Sequence, residues 1–595
     1  MPGLSGALDI ARWSLYSSQL AIEVVGHNIA NANTPGYSRQ SLQVQANIPI
    51  TMGPGQIGTG VKATEVIRAY DTFINKQVDL KTSQYYYWQA QNTAMEEIET
   101  IFNESDEYGL NALMGEFWNA WGDLSNNPDG TAERESLIAK SGNMTQFIND
   151  IDYNLRQYQR YLDSSIQGYV NQMNTIISQI ADLNAQITSI EVKGLINAND
   201  LRDKRDLLVE QLSEYVDINY YEEESSGQVM VYVLGGTPLV LGNSAYTLDC
   251  RQNATTGLTD IIWMDQSGRT VNITDKLEGG KLAGWVNVRD TKIDRYLGSL
   301  NSLVEELVWQ VNSLHSEGVG AASVSSMTGT VQISALTDDL GSDFLFSDRF
   351  VPGGQFEVVV YDDAGEVANT YIIDPAGTTI GDLITEINTE AAAGGGEITA
   401  SLNAEGYFTI QASGNHTFAV RSSLGAESSN ALAIMGVNTF FTWSEESGTP
   451  ASDRDDITQT FGVSADLLAD SGRISTGYLD SNGKVAQGEN GVALAVYSIQ
   501  DKVITNLGGS GRNTTLDAYY SSLIAEVGVD VQNARTNEKY NAALLDQYIG
   551  RKESITGVNL DEESTELLKY QYLWQAAAKL ISICDEMMQS LLSIK

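Results

Sequence analysis

Histidine and cysteine are the side chains that most readily supply a base, a nucleophile or a soft metal ligand near neutral pH. This chain has three histidines, His27, His315 and His416, and two cysteines, Cys250 and Cys584. They are scattered. No H-E-x-x-H, C-x-x-C, G-x-S-x-G or Walker A sequence occurs, so the common metal, thiol, acyl-transfer and phosphate sites have no counterpart here. His27 falls on a helical stretch, where a packed or amide-bonded ring is expected. His315 falls at a helix end, where its partial charge can help the last carbonyls. The cysteines give no disulfide or zinc spacing, and Cys584 reads as a small buried residue in an apolar stripe. GPGQIGTG (Gly53 to Gly60) contains G-x-G-x-x-G, but Pro54 lies inside it and VKATEVI after it is extended, so it reads as a hairpin turn. Adjacent acids such as Asp362-Asp363 and Asp455-Asp456 read as solvated loops. A glycosidase pair built from distant carboxylates would leave no local signature. The residues point to no catalytic, metal-binding or cofactor-binding site, and to no enzyme.

What the sequence does build is helices. Leu4, Leu8, Ala11, Leu15, Ile22, Val25 and Ile29 step by four and three, with one lapse at Ser18. This is a heptad seam, the pattern of a helix that packs along another helix. Its other face carries Ser5, Ser14, Ser17, Gln19, Asn28 and Asn31 and little charge, so the helix is expected to be surrounded by protein. It stops at Asn33-Thr34-Pro35-Gly36, a tight turn. Beyond it Leu42, Val44 and Ala46 alternate with polar residues, as in a strand.

The C-terminus matches the N-terminus. Leu567, Tyr570, Trp574, Ala577, Ile581, Cys584, Met588 and Leu591 again step by three and four, and Leu573, Leu580, Met587 and Ile594 form a second row at intervals of seven. Asp561, Glu562 and Glu563 sit in the first turn, where they complement the helix dipole. Two such seams can pair, antiparallel or parallel, and the wide stripe on the second helix calls for further neighbours.

The formal net charge is −42. Residues 1–60 hold two bases (Arg12, Arg39) and two acids (Asp9, Glu23), and residues 551–595 hold five bases against seven acids, so almost all the excess acid lies between. Nucleic acid and anionic membranes would be repelled. No secretory signal of the ordinary kind and no membrane-length apolar run is present.

Between the ends, helices are expected over about 69–102, 110–124, a long one through Leu162, Ile166, Tyr169, Met173, Ile176, Ile180, Leu183, Ile187 and Ile190 ending near Lys193-Gly194, and one over 198–216 whose charges pair at helical spacings. From Asp217 the texture is that of strands. Helix resumes over 282–314, a Gly/Ser/Thr-rich linker covers 317–330, and a second β-rich region runs to about Trp443. GGQFEVVVYDD, TYIIDP, GEITASL and YFTIQAS are its expected strands and TIGDLITEINTEAA its helix.

NIANANTPGYSRQ (Asn28 to Gln40) and VNLDEEST…YQYLWQAAAKLISICDEMMQSLL (Val558 to Leu592) resemble the two ends of the bacterial flagellar axial proteins, the rod, hook and hook-associated proteins. NDLRDKRDLLVEQLSEYV (Asn199 to Val216), TPLVLGNSAYTL (Thr237 to Leu248), GGKLAGWVNVRD (Gly279 to Asp290), VNSLHSEG (Val311 to Gly318) and NTFFTW (Asn438 to Trp443) resemble the hook-associated branch, and the match is weakest over about 321–435. The resemblance implies Asn28, Asn31, Asn33, Thr34, Pro35, Gly36 and Tyr37 as the motif turn. It also implies a multidomain α+β chain with its terminal helices paired as a coiled-coil-like inner domain. The expected divisions are 1–60 and 551–595 for that domain and 61–216, 282–318 and 446–550 for a helical domain. A small β subdomain takes 217–281, and an inserted mainly-β outer domain 319–445. The function implied is a structural junction between hook and filament, required for filament assembly. Its partners would be further copies in a ring, hook protein, a second junction protein and an export chaperone at the C-terminal region. Its location would be extracellular, on the flagellum, reached by type III export without a cleaved signal. The alternatives are a hook or rod protein, or a glycan-binding or glycan-degrading module in the inserted β domain.

Overall fold

In the computed structural model the described residues are 2–52, 55–104, 108–192, 196–223, 225–233, 235–375, 377–449, 456–486, 488–509, 511 and 513–593. Helix and sheet are mixed, with long helices at both ends of the chain. The chain forms two compact units. The first takes Met1–Glu96, Arg160–Thr291 and Val531–Lys595, the second Glu97–Gln159 and Lys292–Asp530.

The first unit opens with the N-terminal helix Pro2–Asn31, followed by strands Gln40–Ala46 and Val61–Arg68, which pair antiparallel. The shorter strands Ile50–Met52 and Gly55–Ile57 also pair, on either side of Gly53-Pro54, which lie outside the described residues. The period-two alternation after Gly36 is thus the alternation of a strand, as read.

The helix Thr131–Ile190 has 60 residues and begins some thirty residues before the seam recognised in the sequence. Its expected end at Lys193-Gly194 lies outside the described residues. In the first unit the seam differs from the expected one: Val170, Ile177 and Asn184 are buried, Tyr169, Ile176 and Leu183 half-buried, and Ile190 exposed. The cause is the partner. Ile166, Val170, Met173, Ile177 and Ile180 pack with Val209 and Leu212 against Val231, Leu239, Val240, Ile261 and Trp263 of two antiparallel sheets. A sheet presents a broad face, so the stripe widens beyond a coiled-coil seam. The strands Ile218–Glu222, Val229–Val233, Thr237–Leu241 and Ser244–Ala245 form a meander, and Thr259–Met264 pairs with Thr247–Gln252 and Thr270–Asn272.

In the second unit, Leu110–Asn126 buries Phe117, Trp118 and Trp121, and Ile293–His315 buries Leu300, Leu303, Val304, Leu307 and Val308. It also holds two three-stranded sheets, the helix Ile380–Gly394 and the short pair Phe441–Thr442 with Gly462–Val463. Phe356–Tyr361 is central to one sheet and buried along its whole length. Two strands of the three-stranded sheets are not evident in the sequence. Ser326–Gln332 lies partly in the stretch read as linker, and Thr417–Ser422 follows the last expected strand. Neither shows a clear alternation. Ser326–Gln332 becomes a strand by pairing with Tyr407–Ala412, and Thr417–Ser422 by pairing with Phe356–Tyr361, so long-range partners define them.

Candidate functional site

The terminal helices Pro2–Asn31 and Leu560–Ser593 pack on each other, and antiparallel, because Asn28 near the end of the first meets Glu563 in the first turn of the second. On the N-terminal helix Ala11 and Val25 are buried, and Leu4, Leu8, Leu15, Ile22 and Ile29 half-buried. Ser18, the lapse in the seam, is buried too. Its Oγ donates to the Ser14 carbonyl at 2.8 Å, which satisfies the hydroxyl within its own helix. On the C-terminal helix Ala577 and Cys584 are buried and Leu567, Tyr570 and Ile581 half-buried. Trp574, Met588 and Leu591 are exposed, as are Leu573, Leu580 and Met587 of the second row. Within one chain the C-terminal seam therefore narrows to Leu567, Tyr570, Ala577, Ile581 and Cys584. One partner helix covers one narrow stripe, and the larger side chains beside it reach past its edge.

The motif turn ties this pair to the rest of the unit. Thr34, Pro35, Gly36 and Tyr37 form a turn closed by Tyr37 N–H on the Thr34 carbonyl, with Gly36 at φ +75°. Proline second and a positive-φ glycine third is the type II arrangement. Leu207 lies beneath, and a Cβ on Gly36 would come within 3.1 Å of the Leu207 Cβ. Asn33 is exposed, while Thr34 Oγ1 donates to Asn31 Oδ1 and Asn31 Nδ2 to the His27 carbonyl. These bonds close the helix end.

Asn28 is the hub, at 1% exposure. Its Nδ2 donates to the Gln40 carbonyl and to Glu563 Oε2, both at 2.9 Å. Its Oδ1 accepts from Tyr37 Oη at 2.7 Å and from Gln40 N–H at 2.9 Å. Both donors and both lone pairs of the amide are used, which no other side chain of that size can do. Burial, then the carboxylates of Asp200, Asp203 and Glu563, raises the Tyr37 pKa well above that of a free phenol, so its hydroxyl stays a donor. His27 Nδ1 lies 3.1 Å from Tyr37 Oη and its Nε2 3.6 Å from Asp200, so its ring is held by a phenol and a carboxylate. Glu563, also 1% exposed, takes Arg39 Nε on its other oxygen at 2.6 Å. Its place in the first turn suits the helix dipole, but burial makes it a clasp between the two ends of the chain.

Several of these partners were not legible as site residues. The charges of Asn199–Tyr215 were expected to pair along their own helix. They reach outward instead: Asp203 accepts from Ser38 N–H and Arg68, Asp206 from Arg68, and Asp200 from Gln40 Nε2. Arg202 pairs with Glu191 and Glu222. The helix is packed between other elements, so its partners lie across, not along. Asp200, Asp203 and Asp206 at intervals of three were the available signal.

In the second unit, two of the middle motifs meet. Asn312 donates to the Phe441 carbonyl and accepts from the N–H groups of Phe440 and Phe441. His315 is fully buried, its Nδ1 2.8 Å from the Asn438 carbonyl and its Nε2 accepting from Ser475 N–H at 2.9 Å. Burial pushes its pKa down to about 4, so the ring is neutral and does not lend charge to the helix end as expected. Asn438, at φ +51°, does that work, donating to the carbonyls of His315, Ser316 and Gly318.

His416 sits in a turn on the Ser413 carbonyl. Cys250 is half-buried, its thiol pushed up to about 11 by burial, and Cys584 is buried. Asp362 closes a turn through Ala364 and Glu366 N–H, Asp456 pairs with Arg156, and Asp455 lies outside the described residues. Among the described residues no group of three His, Cys, Asp or Glu is placed to hold a metal ion, and no helix is long and apolar enough to cross a membrane.

Three families of known sequence match parts of the chain. Residues 95–329 match the helical domain of the flagellar hook-associated protein FlgK. Residues 554–594 match the flagellar basal body rod FlgEFG protein C-terminal region, and 12–37 the flagella basal body rod protein. The solved hook junction protein FlgK of Burkholderia pseudomallei has a similar fold, with a TM-score of 0.50 and 17% identity, over 81% of this chain and all of that one. The matched stretches at both ends and in the middle of the chain are those of flagellar rod and hook-associated proteins, structural components of the flagellum. Over its whole length the chain is similar to flagellar hook-associated protein 1. The Bacillus subtilis protein is 25% identical over 98% of this chain and 97% of its own, and the Escherichia coli protein 25% identical over the whole of both.

Proposed function

We propose that this chain is the structural adaptor that joins the flagellar hook to the filament, and that its paired terminal helices are the part that assembles. The observation that carries this reading is the outward face of the C-terminal helix, where Leu573, Trp574, Leu580, Met587, Met588 and Leu591 are exposed on a helix whose other side is already occupied. An apolar row of that length is a contact surface waiting for partners. The near-neutral ends pack into the axial structure, and the acidic middle faces water. Several copies form a ring between hook protein on one side and a second junction protein on the other. Before assembly the C-terminal row is held by an export chaperone, and the chain reaches the cell exterior by type III export. The residues of the two seams and of the Asn28–Tyr37 turn act by placing this surface, and no substrate or cofactor is involved. The test is a strain lacking the chain: it builds hooks without filaments and sheds flagellin into the medium. Normal filaments in that strain refute the reading.

A further inference from the structure

From Gln40 to Val61 the chain has no charged residue. Gln40–Ala46 leaves the motif turn and pairs with Val61–Arg68, and farther out Ile50–Met52 pairs with Gly55–Ile57 as the outer end of a hairpin arm, on which Val44, Ile48, Ile50 and Ile57 are exposed, Ile48 to 82%. The base of the arm is fixed against its own N-terminal helix: Gly60, at φ +102°, lies so close that a Cβ there would meet the Ile10 Cα at 3.2 Å. A two-stranded arm with an apolar outer end gains little from water and much from a partner. The same unit has a second exposed surface with little charge, the outward row Leu573, Leu580, Met587 and Leu591, where Lys579, Asp585 and Glu586 are the charged residues between Tyr570 and Ser593.

We propose that the hairpin arm of one copy docks on the outward row of the C-terminal helix of the next copy. This rests on the assembly reading above and names the contact within it. Charge selects the occupant. In a chain of net charge −42, a face bearing carboxylates would find no cation to pair them on the outer end of the arm, where residues 48–57 carry no charge, and an unpaired buried charge is strongly unfavourable. The outward row avoids that conflict and supplies apolar side chains of matching kind. Arm and row are different patches, so the contact is head-to-tail. It propagates from copy to copy around a ring, where a self-complementary patch would stop at a dimer.

The test places Ile57→Cys and Met587→Cys in one chain, expressed in flagellated cells and oxidised on intact flagella. A ladder of disulfide-linked multimers is expected on a non-reducing gel, and neither single variant, each retaining Cys250 and Cys584, gives it. If the double variant stands at the junction by immunogold labelling yet stays monomeric or links within one chain, the contact is overturned while the function stands. Absence of the wild-type chain from the junction overturns the function itself. Should this pair fail to assemble, Ile48→Cys with Leu580→Cys repeats the test. Ile57→Lys supplies a second readout: at least a tenfold loss of filamented cells, with the purified variant keeping the helical circular dichroism of wild type and Ile57→Val assembling normally. Undiminished filaments with Ile57→Lys also overturn the contact.

Discussion

Asn28 and Glu563 stand 535 positions apart and share a 2.9 Å hydrogen bond in which the buried amide Nδ2 donates to a buried carboxylate. The bond joins the two ends of the chain and fixes their antiparallel register. Because the same amide also holds both backbone groups of Gln40 and the hydroxyl of Tyr37, one side chain sets the helix pair and the departure of the chain from it.

Replacing Asn28 by alanine removes the partner of the Gln40 backbone N–H and carbonyl, the acceptor of the Tyr37 hydroxyl and one of the donors to Glu563. The expected loss is about 3 kcal/mol, the scale of several buried groups left unsatisfied. Urea unfolding followed by circular dichroism measures it, and a change under 1 kcal/mol refutes the hub role.

Gly36→Ala meets two obstacles, a positive φ and the Leu207 side chain 3.1 Å from the new Cβ. Together these cost about 2 kcal/mol. Gly36→Ala with Leu207→Ala relieves the contact but not the dihedral, so a double-mutant cycle on melting temperature separates them.

Asp79 is buried in the first unit and accepts from Tyr220 Oη at 2.7 Å. Desolvation raises its pKa from 3.8 to about 7. The folded state therefore binds this proton more tightly than the unfolded chain does, so its contribution is full below pH 3.8 and is lost as pH rises through 7. The first unit should lose up to about 4 kcal/mol across that window. Asp79→Asn should flatten the profile in denaturant titrations at fixed pH values, and an unchanged slope would count against it.

His315 acts in the opposite sense in the second unit. Burial holds its folded pKa near 4, below the 6.5 of a free imidazole, so the folded state resists protonation. The stability it supports is full above pH 6.5 and falls as pH drops through 4, by about 3 kcal/mol. His315→Gln should lose that dependence, and a resonance assigned to His315 that titrates near 6.5 in the native protein would sink the prediction.

Leu580→Asp changes an exposed position on the outward row, so the free chain should keep its stability to within about 0.5 kcal/mol. Assembly should fail, with electron micrographs showing hooks without filaments. Normal filaments would mean the row is not an interface.

The sequence by itself determined the periodic elements. The heptad steps of Leu4 to Ile29 and Leu567 to Leu591, the Pro35-Gly36 turn and the alternation after it are local patterns, set by how side chains repeat along 3.6-residue and two-residue periods. It also determined the near-neutral ends and the acidic middle, because charge is read directly from residue types. What the tertiary structure decided is everything that needs a distant partner. It set the antiparallel sense of the terminal pair, the outward pairing of Asp200, Asp203 and Asp206, the neutral burial of His315, and the exposure of Trp574, Met588 and Leu591. These depend on which surface lies opposite, and one helix's periodicity says that a face is apolar without saying how wide a neighbour will cover it. Asn28 shows the division most clearly. Its type and its place before the turn were visible in the sequence, but its four hydrogen bonds exist only once residues from both ends of the chain have come together.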